Sequence, residues 1–133
     1  MATGDWIPFG EGRYRVERAV LVGGGGRLGV EIEDAVIEVA EDRSGGRRLS
    51  GRGRVRVDRL VGLLEEADEP ELWLDLGGEF KYRMAAEVQG GKVFTPGVTA
   101  FVQFRPLRRW EPVAESDFSS RTAGLQIPGV PGS

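Results

Sequence analysis

Neither cysteine nor histidine occurs anywhere in the 133 residues. Without cysteine there is no disulfide, no thiolate metal site, no iron–sulfur cluster and no thiol nucleophile. Without histidine the commonest general base near neutral pH, the commonest zinc ligand and every serine–histidine arrangement are lost. Catalysis would have to rest on carboxylates, lysine, tyrosine or a metal held by oxygen ligands. The sequence therefore points away from an enzyme, and no cofactor or metal is expected.

Lysine is also scarce. Of the eighteen basic residues only Lys81 and Lys92 are lysines, and the rest are arginines. Arginine is the better residue for bidentate, partly desolvated contacts, although a coding bias towards arginine would give the same count. Long apolar runs are missing too: none approaches the roughly 20 residues of a membrane helix. The start, Met1-Ala2-Thr3-Gly4-Asp5-Trp6, lacks the basic-then-apolar layout of a signal peptide. The expected location is the cytoplasm, or a particle assembled there, without membrane contact.

Glycine is plentiful, at 21 residues, many of them in pairs. A chain that turns this often suits antiparallel β-architecture better than a helical bundle. The apolar fraction of 40% and charged fraction of 29% are those of a folded domain. The length suits one domain with a core of its own.

Hydrophobic periodicity supplies the elements. Residues 1–12, with Trp6, Ile7 and Phe9 among Gly and Pro, read as an N-terminal arm. Residues 13–110 read as the folded domain, and 111–133 as a C-terminal tail. From Arg13 to Gly23, Tyr14 and Val16 alternate with Arg13, Arg15 and Glu17, and Val20 and Val22 follow, a half-buried strand. In Leu28–Asp42, Val30 and Ile32 alternate in one phase and Ile37 and Val39 in the other. A strand with a bulge near Asp34-Ala35 explains the shift. A helix with Leu28, Ile32, Val36 and Val39 on one face also fits, although the β-branched content favours strand. Leu49–Val57 alternates Val55 and Val57 inward with Arg52, Arg54 and Arg56 outward. Residues 59–67 form the expected short helix, with Leu60, Val61, Leu63 and Leu64 on its apolar face, Asp58 as N-cap and Pro70 beyond its end.

Three further runs complete the pattern: Leu72, Leu74 and Leu76; then Phe80, Tyr82 and Met84; then Val98, Ala100, Val102 and Phe104. The glycine pairs Gly77-Gly78 and Gly90-Gly91 separate them, which makes a β-meander. The expected fold is mainly β: a small antiparallel barrel or rolled sheet of about six or seven strands, with one short helix and extended arms.

Three constellations bear on function. Gly24, Gly26 and Gly29 form a GxGxxG after an apolar strand, the position of a dinucleotide fingerprint. The valine- and isoleucine-rich segment that follows, and the absence of further βα units, count against that site. The second constellation is an acidic block (Glu31, Glu33, Asp34, Glu38, Glu41 and Asp42) followed by Arg43, Arg47, Arg48, Arg52, Arg54, Arg56 and Arg59. Arg47, Arg48, Arg52, Arg54 and Arg56 could bind nucleic acid or another anionic ligand. If the two segments form a hairpin, however, the acids and bases face each other across the ladder, at roughly 0.2–1 kcal/mol per pair, and fix its register. A net charge of −3 and few aromatics on that strand favour the second account. The run from Glu65 to Glu71 has no EF-hand spacing and reads as a solvated helix end and loop.

The third is the pair of termini. Trp6, Ile7 and Phe9 at one end, and Trp110, Phe118, Leu125 and Ile127 at the other, are apolar side chains on non-periodic chain. They either fold back over the barrel or bury themselves in a neighbouring subunit. The function expected is a non-enzymatic binding or assembly module, a repeated structural subunit of a virion-like or other multi-subunit particle, with protein subunits as partners. The alternatives are anion or nucleic-acid binding through the arginine strand and, behind it, a dinucleotide enzyme at Gly24–Gly29.

Overall fold

The computed structural model describes residues 10–23, 27–41, 43, 46–66, 70–78, 80–90, 99–123 and 125. The elements in chain order are β1 (Gly12–Arg15), β2 (Arg18–Gly23), β3 (Leu28–Glu41), β4 (Arg47–Arg56), α1 (Val57–Glu66), β5 (Glu71–Asp75), β6 (Lys81–Gly90), β7 (Thr99–Pro106), β8 (Glu111–Pro112) and α2 (Glu115–Thr122). Strands β3, β2, β5, β6, β7 and β4 pair in that order, all antiparallel, and β4 pairs back with β3 to close a six-stranded barrel. β1 lies outside on β3, and β8 lies outside on β6. The mainly-β barrel, the meander β5–β6–β7 and the β3–β4 hairpin are as the sequence indicates.

Leu28–Glu41 is one strand, which removes the helix that a dinucleotide site would need after its glycines; Gly24–Gly26 themselves lie outside the described residues. The phase shift has the expected origin. Glu33 pairs with Arg54 and Val36 with Arg52, so Asp34 and Ala35 together stand opposite Gly53. Asp34 takes the left-handed conformation at φ 53°, which aspartate tolerates better than most residues. Ahead of the bulge Val30 and Ile32 face the core; beyond it Ala35, Ile37 and Val39 do. The bend lets one edge of β3 serve β2 and then β1, while its other edge pairs with β4.

Two inward positions of β4 are glycines because other groups occupy the space. A Cβ on Gly51 would overlap the Phe104 ring, and one on Gly53 would stand 2.9 Å from the Glu33 carbonyl oxygen. Gly53 is thus what allows the bulged backbone of β3 to approach β4. α1 packs against β2, β3 and β4, and sends Leu60 and Leu63 into the core. Each such leucine contributes about 1.5–3 kcal/mol of burial.

Four expectations are corrected. The first alternating run is two strands, not one, because the chain turns at Val16 and Glu17, whose N–H groups donate to the carbonyls of Ala35 (3.0 Å) and Asp75 (2.8 Å). α1 begins at Val57, so Val57 belongs to the helix, and Asp58 sits inside its first turn, accepting from Arg56 at 3.2 Å instead of capping it. Phe80 precedes β6 and is 48% exposed, although its neighbours Tyr82 and Met84 are buried. Finally, 111–133 is not a featureless tail, since it contributes β8 and α2. Asp42, Ala67 and Val98 lie outside the described residues.

Gly53→Ala is expected to lower unfolding free energy by about 1–3 kcal/mol, because backbone atoms of β3 cannot yield as a side chain can. Ser50→Ala, on the outward face of the same strand, should stay within about 0.5 kcal/mol of the parent. Urea denaturation followed by circular dichroism measures both.

Candidate functional site

Alternation on the barrel strands decides which side chains leave the core. On β4, Ser50, Arg52 and Arg54 point outward; on β7, Phe101, Gln103 and Arg105; on β6, Glu87 and Gln89; on β3, beyond the bulge, Val36 and Glu38. Register places them in rows. Val36, Arg52, Gln103 and Gln89 follow one another across four strands, and Arg54 stands opposite Phe101. On the side of the first row away from Phe101, between it and Glu38, Ser50, Arg105 and Glu87, lies a cleft of about 260 Å³.

The acid and arginine blocks meet across the β3–β4 ladder. Arg52 approaches Glu38 at 3.4 Å, Arg47 approaches Glu41 at 3.8 Å, and Arg54 pairs with Asp34 at the bulge. Arg56 pairs with Asp58 at 3.2 Å, and Arg48 is exposed. Glu38 Oε1 also lies 3.1 Å from Arg13 of β1, which links three strands by charge, with no hydrogen bond aligned on that oxygen. All these groups are substantially exposed, so each pair contributes at most about 1 kcal/mol, and the ladder sets register more than it sets stability.

On β6 and β7, Glu87 accepts from Arg105 at 2.9 Å and from Gln89 at 2.6 Å. The Arg105 hydrogen bond, helped by Gln89, holds the Glu87 carboxyl below the ordinary glutamate value. On the far side of β6, two N–H groups of Arg83 converge on one Glu111 oxygen at 2.9 and 3.1 Å. That contact keeps the guanidinium above its ordinary value against the effect of burial. Both shifts deepen the charge state that each group already has at neutral pH.

The apolar residues of the termini divide. Trp110 is 3% exposed and stacks on Tyr82 at 4.7 Å between ring centroids. Phe118 is 3% exposed and meets Trp73 edge-on at 6.0 Å. Leu125 is half-buried above Gly29, where a Cβ would stand 2.6 Å from its Cδ1. These three are therefore taken up by this chain's own barrel. α2 lies over the outward side chains Val20, Val22 and Trp73, which form a second, external apolar cluster. A wider cleft of about 510 Å³ runs beside it, bordered by Trp73, Arg83, Asp117 and Arg121. Trp6, Ile7, Phe9 and Ile127 lie outside the described residues.

The residue that sequence reasoning passed over is Phe101, which is 77% exposed. Its signal was present: in the run Val98, Ala100, Val102, Phe104 it occupies the outward phase, where an aromatic ring is unexpected. Among the described residues no three carboxylates converge as a metal site requires, and no helix is long and apolar enough to cross a membrane. Comparison with protein-family models, curated proteins and solved structures finds no match for the chain.

Because the folded-state value of Glu87 is lowered, its contribution to stability is complete above the unfolded-state value and is lost as pH falls through the lowered one. Arg105→Ala should move the Glu87 carboxyl titration back up towards the ordinary glutamate range. Side-chain carboxyl chemical shifts followed against pH measure it, and an unchanged midpoint would refute the assignment.

Proposed function

We propose that the chain is a non-enzymatic binding and assembly module, a repeated structural subunit of a virion-like or other multi-subunit particle, working through the outward face of β4 and β7. One observation carries the reading. Phe101 is 77% exposed on a strand hydrogen-bonded to both neighbours, directly opposite Arg54. Leaving such a ring in water forgoes about 1.5–3 kcal/mol that burial would provide. A sheet holds it in one place, so a partner that covers it incurs little ordering cost, and aromatic rings and arginines are the residues enriched in protein contacts.

The charges around it support the same reading. Arg47, Arg52, Arg54 and Arg56 each meet a carboxylate of the same chain, which leaves the arginine strand less free to hold a polyanion. Nucleic-acid binding through Arg47, Arg48, Arg52, Arg54 and Arg56 is accordingly the weaker proposal. Protein subunits are the partners, and Trp6, Ile7, Phe9 and Ile127 belong to the proposal as contacts made by the arms. The cytoplasm, or a particle assembled there, is the proposed location.

Light scattering coupled to size exclusion, over a broad concentration series at physiological salt, should give a mass that rises above the 14.5 kDa of one chain. A mass fixed at one chain throughout would contradict the reading.

A further inference from the structure

We propose that the smaller cleft, on the outward face of β3, β4, β7 and β6, is a binding site for a small oxyanion: one carboxylate or phosphate group held between Arg52 and Arg105, with Ser50 and Gln103 as further donors. This site goes beyond the assembly reading and does not depend on it.

Register brings the four residues together. Arg52 stands opposite Gln103, and Arg105 lies two residues further along β7 on the same face of the sheet. The two arginines are therefore diagonal neighbours, their backbones roughly 7–8 Å apart, a separation that long side chains span. Gly51 pairs with Phe104, so Ser50 comes level with Arg105 and forms the other diagonal with Gln103. All four line the one cleft of about 260 Å³, a volume suited to a small ligand.

Hydrogen bonding decides the sign of that ligand. The acceptors are occupied: Glu87 accepts from Arg105 and from Gln89, and Oε1 of Glu38 is buried beneath two guanidiniums. The donors are not. Arg52 approaches Glu38 at 3.4 Å without a hydrogen bond, and among the described residues neither the Ser50 hydroxyl nor the Gln103 side-chain amide has a hydrogen-bond partner. Arg105 uses one terminal nitrogen on Glu87, which leaves most of its five N–H groups.

Charge agrees with this count. Arg13 and Arg52 share Glu38, and Arg105 holds Glu87, so three guanidiniums meet two carboxylates at the cleft and its rim. Guanidinium N–H groups bound to an oxyanion make hydrogen bonds about twice as strong as neutral ones. Glu38 and Glu87 flank the cleft on either side, so an anionic polymer lying across it would meet a carboxylate in both directions. A single oxyanion meets neither.

Proton–nitrogen correlation spectra of the labelled chain test the site, titrated with inorganic phosphate in one series and succinate in another, with sodium chloride holding ionic strength constant. Saturable shifts are expected at the Gly51 and Gln103 backbone amides, the Gln103 side-chain amide and the Nε–H groups of Arg52 and Arg105. The series with the lower dissociation constant tells phosphate from carboxylate. Arg52→Gln should raise that constant about tenfold or more, and Gln103→Ala about threefold. Arg121→Gln, which removes the same charge from α2, should leave it unchanged. Spectra unperturbed away from each substitution show that the variants are folded. Absence of shifts in both series would overturn the proposal, as would shifts that stay linear in concentration, that saturate only at resonances remote from the cleft, or that respond alike to Arg52→Gln and Arg121→Gln. Mass is not the readout, so a chain that stays monomeric leaves the site standing, and a chain that assembles does not rescue it.

Discussion

The fourteen residues of β3 serve three neighbouring strands, and they do so because two of them, Asp34 and Ala35, stand opposite a single residue of β4, Gly53. The extra residue bends the strand and reverses which side chains face the core. One edge of β3 can therefore follow β2 and then β1 around the corner at Val16 and Glu17, while the other remains paired to β4. Closure into a barrel follows from that bend, and so does the absence of a long unpaired edge on its six strands. Gly53 is half of the device, since its missing Cβ gives the bulged backbone room to come close.

The bulge also determines what the surface carries. Beyond it Glu38 and Val36 turn outward, where Glu38 meets Arg13 and Arg52. Without the shift in phase Glu38 would point into the core, and Arg13 and Arg52 would lose the carboxylate they share. Charge on this face is thus largely spent on register. What it leaves over is a hydrogen-bonded sheet face with the Phe101 ring standing in water. The proposed function depends on that contrast between paired charge and an uncovered ring.

Much of this was legible in the sequence, because period-two alternation and turn glycines are local signals. The phase reversal between Ile32 and Ile37 placed a bulge near Asp34-Ala35, and the acidic and basic blocks, once taken as a hairpin, implied the cross-strand pairs. What could not be read depends on contacts distant along the chain. Trp73 and Val20 occupy outward positions by alternation, yet both are buried, because α2 comes from more than forty positions further on to cover them. α2 itself is short, with only Phe118 and Thr122 turned inward, too little periodicity to announce a helix. Phe80 belongs by spacing to the inward set of β6 but falls in the turn before it, where Leu76 and Phe80 pair backbone to backbone. Phe101 is outward by phase, which is a local signal, but its exposure depends on which distant segments cover that phase, as α2 covers Trp73.

The bulge is accessible to direct measurement by nuclear Overhauser contacts between backbone protons of β3 and β4. A bulge at this place gives cross-strand contacts linking Glu33 with Arg54 and Val36 with Arg52, with Asp34 and Ala35 both close to Gly53. A single uninterrupted register from Glu33 to Glu41, or a helical pattern of sequential contacts over that segment, would contradict it.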